Sequence, residues 1–208
     1  MLTLDAVTVA GFLSYKPRTT VTFGGCGPVA IIGPNGAGKS TIASKALVWG
    51  LYGKTAPERM GSSTRTLAGA RVVCDGTKTT TVEVELSNAE AAYRVVRTRK
   101  RSGGERVELS RRTSEADDWE PYGSDQTAVN ALIGATYEVF VRTVVRGQND
   151  TWNFAEATDA RQREILDSIS GADALAPAYE QAKDRSTKIK GLLAQQQARL
   201  DGLDRRTN

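Results

Sequence analysis

The residues of this chain best suited to chemistry are Gly33-Pro34-Asn35-Gly36-Ala37-Gly38-Lys39-Ser40. They match G-x-x-x-x-G-K-[ST] at every fixed position. The three glycines let the backbone turn tightly and bring its N–H groups close to phosphate oxygens. A helix starting at Thr41 would add the positive end of its dipole to that anion hole. Lys39 can then reach the β- and γ-phosphates of a nucleoside triphosphate, and the Ser40 hydroxyl can ligate magnesium. The expected ligands are ATP and magnesium, with Gly33 through Thr41 as binding residues and Lys39 in a catalytic role.

Such a loop needs a strand to deliver it and a helix to receive it. Before it, Val29-Ala30-Ile31-Ile32 is a short apolar run suited to a buried strand. After it, Thr41 to Leu51 carries Ile42, Ala46 and Trp49 on one helical face. Upstream, residues 2–9 alternate as a strand, Gly11 to Tyr15 form a turn, and Thr19 to Phe23 return as a second strand, broken by Gly24-Gly25-Cys26-Gly27-Pro28.

Residues 54–69 are polar and irregular and read as a mobile surface loop. From 70 to 112 four runs alternate: Arg71 to Cys74, Thr81 to Leu86, Tyr93 to Arg99 and Val107 to Ser110. They predict an antiparallel meander. Residues 126–146 read as two helical pieces broken near Gly134, and a further helix runs from about Thr158 or Asp159 to Ser170. Thr158 is its expected N-cap, with Arg161, Arg163 and Glu164 outward and Ile165, Leu166 and Ile169 inward.

Gly171 closes that helix, which sets the expected domains at 1–171 for the nucleotide-binding lobe and 172–208 for the start of a coiled-coil arm. In the arm, Tyr179, Ser186, Leu193 and Leu200 take one heptad position, and Ala182, Ile189, Gln196 and Leu203 take the other. The seam is short and partly polar, so a helix lying on its own core is the competing reading. The pattern ends abruptly at Arg206-Thr207-Asn208, as a cut chain would.

Composition narrows the chemistry. The 208 residues include no histidine, which removes histidine-based acid–base and metal chemistry from the chain. Cys26 and Cys74 form no CxxC, so no zinc pattern or disulfide framework is expected, and two free thiols suit a reducing, cytoplasmic setting. No apolar stretch approaches a membrane span, and the opening residues alternate like a strand rather than a signal peptide. A net charge of +4 permits contact with nucleic acid. Arg97, Arg99, Lys100, Arg101, Arg111 and Arg112 on the meander are candidates, against the alternative of a solvated hairpin face.

One component is missing. ATPases of this loop type need an apolar strand ending in an acidic residue for the magnesium shell, usually with a glutamate to orient water. No run after Ser40 ends in Asp-Glu, and Asp75, after Val72-Val73-Cys74, reads as a turn residue before Gly76.

Three stretches carry a family likeness: Leu4 through Tyr15, Ile32 through Thr41, and Val141-Arg142-Thr143-Val144-Val145-Arg146-Gly147-Gln148. They resemble the N-terminal lobe of the SMC-like DNA double-strand-break repair ATPases, which include the ATPase subunit of the bacterial SbcCD nuclease and related phage recombination subunits. Ala160 through Gly171 is similar to the helix that follows the glutamine loop in that family. Gln148 lies 109 residues beyond Lys39 (148 − 39). In ABC transporter subunits the glutamine loop comes much sooner. Ser102-Gly103-Gly104-Glu105 spells the core of the ABC signature sequence, but between two alternating runs it reads as a hairpin tip.

The resemblance implies an α/β, ABC/SMC-type P-loop ATPase lobe I with an antiparallel meander, followed by the root of a coiled-coil helix. It assigns Gln148 to the magnesium and the attacking water, and sets Thr66, Leu67 and Ala68 at the border of the nucleotide. The family's second lobe, separated by a long coiled coil often tipped by a zinc hook, would supply the signature motif, the acidic strand and the catalytic glutamate. Two heads sandwich two ATPs, and closure gates double-stranded DNA and an SbcD-type nuclease subunit. The implied function is thus the ATP-binding half of a DNA repair and recombination ATPase, inactive until completed. A chromosome-organising SMC or RecF-type ATPase is the alternative, ahead of a transport ATPase. Many members carry Arg after the early aromatic, where this chain has Leu13, which puts a nucleotide contact there in doubt.

Overall fold

Period-two alternation builds the sheet of this protein. The computed structural model describes residues 2–24, 27–60, 63–145, 158–170 and 176–207. The chain divides into two compact units, Met1–Glu156 and Ala157–Asn208.

In the first unit, β1 (Thr3–Ala10) and β2 (Thr19–Thr22) pair antiparallel, as their alternation predicts. The segment after the glycine loop begins as a π-helical turn, Thr41–Ala46, and continues as α1 (Leu47–Tyr52). Next come the hairpin β3 (Glu58–Met60) and β4 (Ser63–Arg65), then a 3₁₀ turn, Gly69–Val72. The meander β5 (Thr79–Ser87), β6 (Ala92–Lys100), β7 (Glu105–Arg112) and β8 (Glu120–Gly123) follows. The helices α2 (Gln126–Ile133) and α3 (Tyr137–Thr143) complete the unit.

Six strands form one antiparallel sheet in the order β2-β1-β5-β6-β7-β8. Each strand puts alternate residues on each face, so Val82, Val84 and Leu86 of β5 and Tyr93 and Val95 of β6 are buried. The helical segment packs on that face through Ile42, Ala46, Val48 and Trp49, all almost fully buried, and Phe12 meets the Trp49 ring at 5.4 Å. The opposite face is polar. There Arg18 and Arg94 bracket Glu83, and Arg94 also binds Glu85. One dry face and one solvated face is the ordinary design of an antiparallel sheet.

Ser102-Gly103-Gly104 is the tip of the β6–β7 hairpin, as expected, with Lys100 N–H donating to Gly104 O. The break at Gly134 is also found: its φ of +71° ends α2, and the Thr136 hydroxyl caps α3.

Three expectations about the first unit need correction. Val29–Ile32 forms no strand; Val29 is 50% and Ile32 92% exposed. Among the described residues no neighbouring strand offers it a ladder. Residues 54–69 are not an irregular loop. Thr55 and Ala56 are buried, Thr55 and Leu67 exchange hydrogen bonds, and the β3–β4 hairpin lies between them. Arg71–Cys74 is not a meander strand, because its backbone groups are taken elsewhere. Leu13 N–H donates to Val72 O, Cys74 N–H to Gly11 O, and the Arg101 guanidinium to Val73 O and Cys74 O. Asp75 and Gly76 then make the expected turn, with Thr77 N–H on Cys74 O. An eighth strand, β8, was not expected; its Pro121 suits the edge position it takes.

The second unit holds α4 (Asp159–Ser170) and α5 (Ala176–Thr207). Pro177 sits in the first turn of α5, where a missing N–H costs nothing. At about 1.5 Å per residue α5 is about 48 Å long. Tyr179, Ile189, Leu192 and Leu193 are exposed along it. In α4, Leu166 is exposed rather than inward, sharing the solvated side of the helix with Arg163 and Asp167.

Candidate nucleotide-phosphate site

The loop takes the shape its glycines allow. Gly36 (φ +82°) and Gly38 (φ +88°) lie in the left-handed region, which a side chain there would strain. Ala37 N–H closes a turn onto Pro34 O at 3.2 Å, and the Gly38 carbonyl accepts from Thr41 N–H at 2.9 Å and Ile42 N–H at 3.1 Å. The helical segment therefore starts from the last glycine of the loop, leaving Lys39 and Ser40 at its N-terminus. The Lys39 ammonium donates to Gly33 O and Pro34 O, both at 2.8 Å. It thus lies across the loop's own carbonyls, where phosphate oxygens could replace them as acceptors. The Ser40 residue is exposed, and its carbonyl accepts from the Ser44 hydroxyl at 3.0 Å.

A group outside the loop motif holds this loop. The Tyr15 ring lies where a Cβ on Gly38 would sit, at 2.8–3.1 Å, and its hydroxyl donates to Gly38 O at 3.3 Å. Tyr15 is carried by a tight turn with Leu13 at φ +49°, fixed by Phe12 N–H on Tyr15 O. Tyr15 closes the first stretch that carries the family likeness, but its contact with the loop is revealed only by packing against a side-chain-free glycine.

The other end of the helical segment is closed by Arg97, expected to face nucleic acid. It is 4% exposed. Its Nε donates to Gly50 O and one terminal nitrogen to Leu51 O, each at 3.0 Å, and that nitrogen also reaches the Gln126 side-chain oxygen at 2.6 Å. The other terminal nitrogen pairs with Glu105 at 2.8 Å. Gln126 in turn donates to Leu51 O at 2.8 Å. Burial lowers the guanidinium's proton affinity below its usual value, with the Glu105 hydrogen bond and charge opposing it. The sequence held a signal for this placement. Tyr93, Val95 and Arg97 fall on one row of the alternating strand, so Arg97 belongs to the dry face.

The other basic candidates scatter. Arg99 pairs weakly with Glu105 at 3.8 Å, Arg101 binds loop carbonyls, Arg111 lies over Tyr122 and Arg112 over Trp119. Lys100 is exposed.

The structure brings Gly33 through Thr41 together. It sets Thr66–Ala68 against Lys54 and Thr55, just past the far end of α1, about 18 Å of helix from Ser40. Gln148 lies outside the described residues. No cluster of three or more potential metal-binding carboxylate or thiol side chains occurs among the described residues. A phosphate-bound magnesium needs only the Ser40 hydroxyl from this loop, with phosphates and water, so the donor set fits.

A glycine loop with lysine and hydroxyl at the head of a helix, packed on an antiparallel sheet, defines a P-loop nucleotide-binding domain. The chain belongs to the AAA domain family, whose profile matches residues 6–206. Among curated relatives it is similar to the SbcC subunit of the nuclease SbcCD of Deinococcus radiodurans, 24% identical over 204 residues, covering 92% of this chain and 22% of that protein. It is also similar to the DNA double-strand break repair Rad50 ATPase of Methanopyrus kandleri, 29% identical, covering 74% of this chain and 17% of that protein. The chromosome partition protein Smc of Koribacter versatilis is 30% identical over 76% of this chain and 11% of its own length. The expected kinship with the N-terminal region of SMC-like repair ATPases therefore holds. The chain spans less than a quarter of the length of these relatives.

Proposed function

We propose that this chain is the ATP-binding half of an SMC-like ATPase of DNA double-strand-break repair, working with a nuclease subunit. The observation that carries the reading is the built loop and helix: two left-handed glycines, Lys39 and Ser40 at a helix start, and that helix buried along Ile42, Ala46 and Trp49. Lys39 holds the β- and γ-phosphates and Ser40 ligates magnesium. Bound magnesium supplies charge neutralisation at the phosphates. Gln148 contacts the magnesium and the attacking water.

The apolar run Val29–Ile32, in which Ile31 packs against the core while Val29 and Ile32 are exposed, supports a two-lobed head, because such a run beside the loop wants a neighbouring strand. A C-terminal lobe of the same protein supplies that strand with the acidic groups the chain lacks. A second head closes on the first, and α5 roots a coiled coil through its exposed Tyr179, Ile189 and Leu193. In this reading residues 1–171 form the lobe and 172–208 the arm, and the protein acts on double-stranded DNA in the cytoplasm. No helix among the described residues is long and apolar enough to cross a membrane.

The test is direct. The 208-residue chain binds magnesium–ATP weakly and hydrolyses almost none, and adding a C-terminal lobe restores magnesium-dependent hydrolysis. Robust turnover by the chain alone overturns the two-lobe reading. Co-purification with a kleisin-type subunit instead of a nuclease would favour the chromosome-organising alternative, which the Smc relative keeps in view.

A further inference from the structure

The closure of α1 by a buried arginine is an expensive way to end a helix. A guanidinium taken out of water must recover its solvation through hydrogen bonds of good geometry. Here it does so on the last-turn carbonyls, Gly50 O and Leu51 O, which have no partner within a helix. The positive charge also meets the negative end of the helix dipole. Gly50 brings the helix against the sheet, since a Cβ there would lie 2.7 Å from Val84 and 2.9 Å from Val82. Arg97, on the paired strand beside Val82, is therefore aimed at the helix end from a rigid row. A plain C-cap needs only the Gly53 N–H on Trp49 O, which is also present.

Beyond that cap, the helical segment is held unevenly. Its first turns, Thr41–Ala46, are π-helical, a wide geometry that recurs at functional sites. Ser40 and Ala43 there face solvent, and the run preceding the loop pairs with no strand. The rod is thus fixed at its far end by the cap, while its near end is held by Tyr15 at Gly38 and by Ile42 and Ala46 against the sheet.

Resting on the nucleotide-binding reading above, we propose that Arg97 is a positioning residue for the phosphate site: by gripping Gly50 O, Leu51 O and Gln126 it fixes the direction of the helix whose other end presents Lys39 and Ser40. A two-donor fork sets an angle as well as a position, which a lysine ammonium does not. Misaiming a short rod at one end moves its other end, and small displacements of phosphate-binding groups weaken binding steeply.

The experiment measures affinity of the 208-residue chain for a fluorescent ATP analogue with magnesium, at a temperature where circular dichroism shows every variant folded. Arg97→Lys is compared with Leu109→Ala, a core truncation at the position paired with Val95 rather than Arg97, and with Lys39→Ala, which marks the floor. The expected result is about tenfold weaker binding for Arg97→Lys, with Leu109→Ala unchanged even where its melting temperature falls as far. Wild-type affinity in Arg97→Lys, or an equal loss in Leu109→Ala, overturns the proposal while leaving nucleotide binding intact. If Arg97→Lys does not fold, Gln126→Ala takes its place. That variant removes one of the two donors on Leu51 O, and an undiminished affinity in it overturns the proposal equally. A wild-type chain that binds no better than Lys39→Ala instead refutes the nucleotide-binding reading, and this proposal with it.

Discussion

The two flanks of the phosphate loop could hardly differ more. Downstream, the helical segment is sealed: Trp49 is fully buried against Phe12, and Arg97 and Gln126 occupy the final carbonyls. Upstream, Val29 to Ile32 is just as apolar in sequence, yet Ile32 is 92% exposed and the run belongs to no strand. Hydrophobicity is the same on both sides; the supply of partners is not. A helix can satisfy its own backbone and needs only one face covered, whereas a strand needs a neighbour for every hydrogen bond. The difference teaches where this chain is self-sufficient and where, in the two-lobe reading, a neighbour is needed.

The sealed flank should break first and hardest. Trp49→Ala removes a fully buried side chain from the packing between helix and sheet. It should destabilise the chain by about 3–5 kcal/mol, read as a shifted midpoint in urea unfolding. Arg97→Ala comes next. It strips Gly50 O of its charged donor and leaves Glu105 and Gln126 facing an emptied site, at a cost of about 3 kcal/mol. If Arg97→Ala costs no more than an exposed substitution such as Lys100→Ala, the closed end has been misjudged.

Much of this contrast is legible in the residues alone, but unequally. The loop, its helix and the meander can be read because each depends on local pattern. G-x-x-x-x-G-K-S needs specific backbone angles, and alternation in Thr81–Leu86 and Tyr93–Arg99 needs only a sheet with one wet face. Val29–Ile32 misleads because an apolar run states a demand for burial without saying whether this chain meets it. Arg71–Cys74 misleads for the reverse reason: its apolar residues are buried, but turn amides and Arg101 take the backbone groups that a strand would pair. Charge alone sends Arg97 to the surface, when its row on β6 already places it inside. Tyr15 lies in a stretch that carries the family likeness, but its role exists only in its contact with Gly38.

A smaller effect tests the sealed flank through pH. Tyr52 at the end of α1 is buried among Tyr137 and Phe140, and its hydroxyl donates to Ala135 O at 3.0 Å. Burial, helped by the charge of Glu138, raises its proton affinity well above the ordinary value of 10.0, and Tyr137 shifts the same way. A group whose folded-state pKa is raised stabilises fully below its unfolded value and loses that contribution as pH climbs past it. Stability should therefore hold below about pH 10 and fall above it. Tyr52→Phe should cost about 1 kcal/mol below pH 10 for the lost hydrogen bond and show a shallower alkaline decline. Parallel declines in the two proteins would mean that the Tyr52 hydroxyl remains in contact with water.

The smallest effect is expected on the open flank, and it is the most telling. Ile32→Ser removes an apolar side chain that buries almost nothing in this chain, so its stability should change by no more than about 0.5 kcal/mol. A loss of about 2 kcal/mol or more, the range for a buried aliphatic side chain, would show that Ile32 is packed within this chain and that the two flanks do not differ. The same substitution should act strongly once a C-terminal lobe is added, because a serine in the row would face the apolar side of the new strand. Association of the two pieces, followed by gel filtration or by recovery of ATP hydrolysis, should weaken while the isolated chain melts as before. A substitution that is silent alone and damaging in company is the signature of a surface made to be covered. A substitution silent in both would leave Val29–Ile32 as an apolar segment with no partner, and the two-lobe reading would lose the structural feature that most favours it.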